Sequence, residues 1–324
     1  MLNKCSALTP LVVVASVVGL CATQVPTAQE PAKPDSPEVQ KLLETARQSA
    51  GSQWTDAFDF ICALNPNRAN RPDDPEIEPT RVFDNLYVIG RSSTVVWAVV
   101  TSDGIVLIDA GYGDQLESVL LPGMKKLGLD PAQVKYVIVG HGHGDHFGGA
   151  AYFQQRGARV VLAGPDWDLV EKSPPAAVQP PKRDLLAVEG QAITVGDVAF
   201  TPVMIPGHTA GSMGVIFPIK DGKSTRMAGL FGGSILIPTK IPDEGLQQYI
   251  KSVEHWGDVT RRMNVEVEIQ NHPLYDGLLT KLERLKQRKA GAPNPFVVGR
   301  DSYQRFVSVM ADCIKVQLAR RKTA

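Results

Sequence analysis

Hydrophobic positions fall into short β-branched runs through the middle of the chain and into helical spacing toward both ends. Residues 37–64 (PEVQKLLETARQ, then WTDAFDFICAL) have helical spacing. The stretch NPNRANRPDDPEIEPT, 65–80, carries four prolines and reads as a loop leading into the core. VFDNLYVIG, TVVWAVV and GIVLIDAGYG (104–113) follow as apolar runs of the length of buried strands. DQLESVLLPGMKKLG predicts a helix, KYVIVG (135–140) a strand, and 145–156 and 164–172 two more helices. Beyond the proline-rich KSPPAAVQPPKR, strands are expected at DLLAVEG, AITVG, VAFTPVMI, MGVIFPI and TRMAGLFGG. A helix is expected at 242–263, a strand at VEVEIQNHP, and helices at 276–290 and 300–320. Strands and helices mix along the whole length and no linker divides them. The pattern predicts one layered α/β domain, two sheets with helices outside.

Composition narrows the choice. The 324 residues carry 34 Lys+Arg and 34 Asp+Glu, a formal charge of zero, which argues against nucleic acid as a main partner. A 43% hydrophobic and 21% charged content is that of a folded protein, and 29 glycines with 24 prolines imply many loops. No internal repeat is visible, which sets aside solenoids and propellers.

The first residues read as an address. Lys4 precedes an apolar run from Leu11 to Ala22, and small and polar residues follow. Twelve residues are too few to span a bilayer, and the layout is that of a secretory signal. A signal peptide over 1–28 is expected, with a periplasmic or secreted product and no stable membrane span after its removal. A lipid-anchored reading through Cys21 meets the bulky Leu20 in front of it, and an uncleaved anchor meets the short run. Cys62 and Cys313 remain in the mature chain. Export would allow them to pair, but two separate buried thiols fit the sequence equally; approach of their Cα atoms within about 7 Å decides.

Four of the ligand-type residues stand together. The chain holds six histidines, and GHGHGDHFGG contains His141, His143 and His146 with Asp145. His208 lies in IPGHTAGS and His272 in IQNHPLYDG, each after a strand-like run, whereas His255 sits in a helical run and reads as a surface residue. In an extended backbone His141 and His143 point the same way, while Asp145 and His146 turn to another side as the next helix begins. Imidazole and carboxylate are zinc ligands, and a catalytic zinc takes three of them and keeps an open position. Six ligands divide into two such sites. A phosphate-cradling glycine loop is the rival reading, but the GK[ST] ending is missing.

His141-Gly-His143-Gly-Asp145-His146 resembles the His-x-His-x-Asp-His signature of the metallo-β-lactamase superfamily. GIVLIDAGYG before it, PGHTAGS after it and a last histidine in NHP follow the same order, over roughly residues 80–290. The resemblance implies the αββα four-layer sandwich, two mixed sheets flanked by helices. It divides the chain into the signal (1–28), an N-terminal helical and loop extension (29–80), the metallo-β-lactamase domain (81–290) and a helical tail packed on it (291–324). The chain looks most like subclass B3 zinc β-lactamases. By that resemblance His141, His143 and His208 hold one Zn²⁺, Asp145, His146 and His272 hold a second, and Ser234 and Ser212 contact substrate or water. Glyoxalase-type and RNase Z-type members resemble one another in a metal-bridging aspartate that is lost here, where LFGGSILIP carries Gly232, Gly233 and Ser234. No cysteine ligand of other β-lactamase subclasses stands there either. Gly142 and Gly144 depart from the bulkier residues common in the signature.

The activity so implied is that of an exported dizinc hydrolase opening the β-lactam amide by a zinc-bound hydroxide. Asp145 orients the hydroxide, and Asp109 orients a ligand histidine from behind. Two zinc ions less Asp145 and hydroxide leave positive charge, which favours a small anionic substrate, a β-lactam or a lactone. The alternative is a non-lactamase metallo-hydrolase of the same fold, a lactonase or esterase. A non-catalytic zinc protein would need one closed four-ligand site instead. Trp97 reads as core, Tyr112 as wall or core. Oligomeric state is left open.

Overall fold

The computed structural model describes residues 34–63, 73–172, 178–236, 238 and 241–323. The expected signal peptide and part of the 65–80 loop lie outside the described residues. In chain order come α1 (Pro37–Ala50), α2 (Thr55–Ile61), β1 (Thr80–Arg81), β2 (Leu86–Gly90), β3 (Val95–Thr101), β4 (Gly104–Ile108) and α3 (Leu121–Lys126). Then follow β5 (Val134–Ile138), α4 (Gly144–Phe147), α5 (Ala150–Gln154), β6 (Arg159–Leu162), α6 (Gly164–Lys172), β7 (Leu185–Leu186) and β8 (Ile193–Val195). The rest is β9 (Val198–Met204), β10 (Met213–Asp221), β11 (Ser224–Leu230), α7 (Asp243–Arg262), β12 (Val267–Ile269), α8 (Pro273–Asp276), α9 (Leu278–Lys286) and α10 (Arg300–Thr323).

Alternating side chains build the layers. β1 to β7 form one sheet in sequential order, antiparallel up to β4 and parallel from there. The second sheet runs β12-β11-β10-β9-β8, with the β11–β12 pair parallel. In β3, Val95, Trp97 and Val99 face the core between the sheets, whereas Val96 and Ala98 face the helices outside. β10 repeats the rule from the other sheet: Val215, Phe217 and Ile219 point to the same inter-sheet core, and Ile216 to the outer helices. Both faces of each sheet are therefore apolar, which is why the strands read as unbroken hydrophobic runs and not as alternating ones. The observed αββα sandwich is the one expected.

Local departures have local causes. The helix expected at 114–128 is regular only in α3; Leu116–Leu120 forms a wide π-helical turn just before Pro122. Residues 145–156 divide into α4 and α5 around Gly148 and Gly149. DLLAVEG shrinks to Leu185–Leu186, because Leu186 and Val188 stand exposed at the edge.

The outer helical layer joins the two ends of the described chain. Ser36 caps α1 by accepting from Val39 N at 3.3 Å, with Pro37 in the first turn. α1, α2, α7 and α10 share one core that includes Trp54, Trp256, Phe306 and Met310. Within it Cys62 and Cys313 have Cα atoms 4.5 Å apart and are joined as a disulfide, which settles the open pairing. The bond closes a loop over a separation of 251 residues. Removing it in a Cys62→Ala, Cys313→Ala variant should cost about 2–5 kcal/mol in denaturant unfolding. An unchanged midpoint would show that helix packing alone holds this layer.

A buried ion cluster lies beneath the end of the second sheet. Lys281 of α9 bonds to Glu268 of β12 and, at 3.0 Å, to Asp276 of α8. Its ammonium also lies 5.6 Å from the Trp54 ring centroid and 5.5 Å from that of Phe296. Burial pushes both carboxyls upward, against the pull of the ammonium.

Candidate metal centre

Six side chains converge at the strand ends of both sheets. β5 ends at Ile138, and the chain crosses Val139 and Gly140 before His141 and His143; α4 then opens with Asp145 and His146 in its first turn. His208 follows β9 and His272 follows β12. Two backbone hydrogen bonds tie the sheets together here, Met213 N to Gly140 O and Val95 N to Asn271 O, both at 2.9 Å. This is the strand-end crevice where α/β sheets collect ligands.

The six residues separate into two groups of three, His141–His143–His208 and Asp145–His146–His272. In the first, His208 Nε2 lies 2.9 Å from His141 Nε2 and 3.1 Å from His143 Nδ1. In the second, His272 Nε2 is 3.2 Å from His146 Nε2, and Asp145 Oδ2 is 3.3 Å from His146 Nε2 and 3.8 Å from His272 Nε2. The groups share a wall, with the His141 and His146 rings 4.0 Å apart at their centroids.

The partners behind the rings test whether a metal fits. His141 Nδ1 lies 2.6 Å from Gly232 O, and His272 Nδ1 lies 2.8 Å from Ser93 O. A carbonyl only accepts, so both Nδ1 atoms carry the hydrogen and both Nε2 atoms face inward as lone pairs. His146 Nδ1 donates in the same way to Asp109 Oδ2 at 2.7 Å. Ring nitrogens that converge this closely need a cation among them, a proton or a metal ion, and imidazoles with one carboxylate suit zinc. Each group can hold a divalent ion.

Charge in the pocket agrees. Burial and the neighbouring histidines push His141 well below the ordinary imidazole range, His208 down to about 3 and His272 down to about 4. Burial lowers His143 too, though Asp145 pulls the other way. These rings stay neutral at pH 7, as ligands must. Burial opposes the charge on His146, yet the Asp145 and Asp109 carboxylates push it up to about 10, so a metal ion entering the second group must displace the proton on its Nε2. The same pocket overcomes burial at Asp145 and holds its carboxyl far below the usual range, chiefly through His146. Positive charge is what this cleft calls for.

Asp109 supports the site from the residue after β4, as the LIDAG segment suggested. It sits at φ 62°, a left-handed conformation that Asp tolerates, and is fully buried. Besides His146 it accepts from Gly140 N at 2.8 Å and Asn271 Nδ2 at 3.0 Å. Asp109→Ala should weaken metal binding by the second group about 10–100-fold in chelator competition. Affinity within twofold of the unaltered protein would remove Asp109 from the site's support.

Ser212 and Ser234 are both fully buried. The Ser212 hydroxyl accepts from Thr209 N at 3.0 Å and lies 2.7 Å from Thr209 Oγ1, while Ser234 Oγ donates to Asn271 Oδ1 at 3.4 Å. Tyr112 is 37% exposed; partial burial and the nearby Asp145 raise its phenol, against a hydrogen bond with Thr94 that lowers it, so it stands at the rim of the second group. Trp97 is core, with Nε1 donating to Gln270 O at 2.9 Å. His255 is a surface residue paired with Glu189 at 3.0 Å. Sequence reasoning missed the carbonyls of Gly232 and Ser93 and the amide of Asn271. Only Asn271 had a signal, its place beside His272.

Comparison with known proteins places this geometry. Residues 89–222 match the family model of the metallo-beta-lactamase superfamily, a span that includes the signature and His208 but ends before His272. A subclass B3 metallo-beta-lactamase of Bradyrhizobium japonicum is similar in structure at TM-score 0.64 and 27% identity, over 76% of this chain and 96% of that one. The native metallo-beta-lactamase from Legionella gormanii shares the fold at TM-score 0.66 and 21% identity, over 78% of this chain and all (100%) of that one. Among curated relatives, the hydroxyacylglutathione hydrolase of Xanthomonas axonopodis pv. citri (strain 306) is 35% identical over 128 residues, 39% of this chain. The chain spans 40% of that relative's length.

Proposed function

The chain carries a metallo-β-lactamase superfamily domain, and from that premise we propose that it is an exported two-zinc hydrolase that opens the amide ring of β-lactams. The observation that carries the reading is the pair of adjacent three-ligand groups, all-histidine in the first and Asp-His-His in the second, with Gly232, Gly233 and Ser234 where a bridging carboxylate would otherwise stand.

Zinc held there supplies a water acidified to a pKa of about 7 and a Lewis acid for the carbonyl. The protein's own side chains do the rest. His141, His143 and His208 hold one ion; Asp145, His146 and His272 hold the other. Asp145 turns one oxygen toward its group, and its second oxygen accepts a hydrogen bond from the attacking water and orients it. Three neutral imidazoles opposite a group with one carboxylate leave the ions' charge largely uncancelled, which favours an anionic substrate. Tyr112 borders the opening and contacts the substrate. The hydroxyls of Ser212 and Ser234 are engaged with the loops around the site, and we assign them first to shaping those loops. Export is supported by the signal-like pattern over residues 1–28 and by the Cys62–Cys313 disulfide. Among the described residues no helix is long and apolar enough to cross a membrane.

A second reading has one observation in its favour: the 35% identity to a hydroxyacylglutathione hydrolase, which points to thioester or ester hydrolysis by the same groups. Purified protein assayed on a cephalosporin, a carbapenem and a hydroxyacylglutathione should hydrolyse the lactams, lose that activity to a chelator and regain it with zinc. Turnover of the thioester alone would replace the proposal with the second reading.

A further inference from the structure

We propose that Asp166 is a positioning residue for the first histidine group, fixing the loop of His141 and His143 against the loop of His208. The assignment rests on the metal-centre reading above. Asp166 stands in the first turn of α6 and is 1% exposed. One carboxylate oxygen, Oδ2, accepts from Gly142 N at 2.7 Å and from Thr209 Oγ1 at 2.6 Å; the other, Oδ1, accepts from Gly211 N at 2.8 Å. Gly142 lies between His141 and His143, and Thr209 follows His208, so the carboxylate grips each ligand loop one residue from its histidines. All three donors are neutral. A buried carboxylate answered by two amides and a hydroxyl is held in a single place, since any rearrangement leaves charge without a partner.

The two glycines are shaped to this side chain. A Cβ at position 142 would lie 2.9 Å from Asp166 O, and one at position 211 would lie 2.8 Å from its Oδ1 and 2.7 Å from its N. Only glycine allows the approach. The small residue between the two histidines, which differs from the bulkier ones common at that place in the signature, thus has a physical reason in this chain. The anchor is firm, because Trp167 and Val170 of the same helix are buried against the first sheet. Ser212 completes the grip from the far side by bonding Thr209.

Zinc affinity measured separately for the two groups tests the assignment. His272→Ala leaves the first group intact and His208→Ala the second, and each is titrated with zinc against a chromophoric chelator. Asp166→Asn turns one acceptor into a donor facing Gly142 or Gly211. It should weaken zinc about 10–100-fold in the His272→Ala background and under about threefold in the His208→Ala background. Thermal unfolding of the metal-free variants checks the fold. If Asp166→Asn does not fold, Thr209→Val, which removes one donor only, decides: a loss of about threefold or more confined to the first group supports the assignment. Equal losses in both backgrounds, or none in either, overturn it. Failure of the unaltered protein to take up zinc overturns the metal-centre reading itself and this assignment with it.

Discussion

Replacement of Lys281 by methionine is expected to cost about 3–5 kcal/mol of folding stability, among the largest effects of any single change outside the metal centre. The ammonium is the cation shared by two buried carboxylates, Glu268 and Asp276, and it also donates to Glu268 O at 3.1 Å. Methionine fills the space but leaves both acids uncompensated in a region walled by Trp54 and Phe296. The acids respond by holding protons: their folded pKa values rise further above the unfolded values near 4. A raised carboxyl pKa stabilises the fold at low pH and loses that contribution as pH climbs through it. The deficit should therefore be small near pH 4 and reach its full size above neutrality. Denaturant unfolding at several pH values checks this; a deficit below about 1 kcal/mol at pH 8 would refute the account. Because Glu268 precedes His272 by four residues and Asp276 follows it by four, the variant should also loosen the turn that presents this ligand.

Asp145→Asn is expected to lower kcat by roughly two orders of magnitude with the fold intact. The substitution keeps size and removes charge. It takes the anionic ligand from the second group and the carboxylate oxygen that would orient the water, while the first group keeps all three histidines. Steady-state kinetics at saturating zinc separate the two losses: excess metal restores occupancy but not the orienting oxygen. Recovery to within about threefold of the unaltered kcat would reduce Asp145 to a ligand.

The parts of this molecule written in short-range pattern were legible in the sequence. Strands such as TVVWAVV announce themselves because burial on both faces requires unbroken apolar runs. His141, His143, Asp145 and His146 were legible because four ligand residues within six positions carry their own geometry. Asp109 was legible from its place after GIVLI. Asp166 and Lys281 were not: each is an ordinary charged residue on a helix, and what sets it apart is burial beside partners that the fold brings in, Gly211 from 45 residues away for the first and Glu268 for the second. The carbonyls of Ser93 and Gly232 are invisible for a stronger reason, since a backbone oxygen has no letter. DLLAVEG shows the converse error, where apolar composition outruns pairing and only two residues join the sheet.

Neither sheet owns a complete ligand set. His141, His143, Asp145 and His146 depart from the first sheet and His208 and His272 from the second, so every three-ligand group draws on both. A metal ion bound in either group would therefore act as a rivet through the sandwich. Severed at the exposed edge near Val188, the chain would yield two pieces, each with one sheet and an unfinished coordination shell, still tied to one another through the Cys62–Cys313 disulfide. With that bond reduced, a metal ion would add its ligand bonds to the helical core that both halves share, so ion availability would bear on how firmly the halves hold together as well as on what the protein can catalyse.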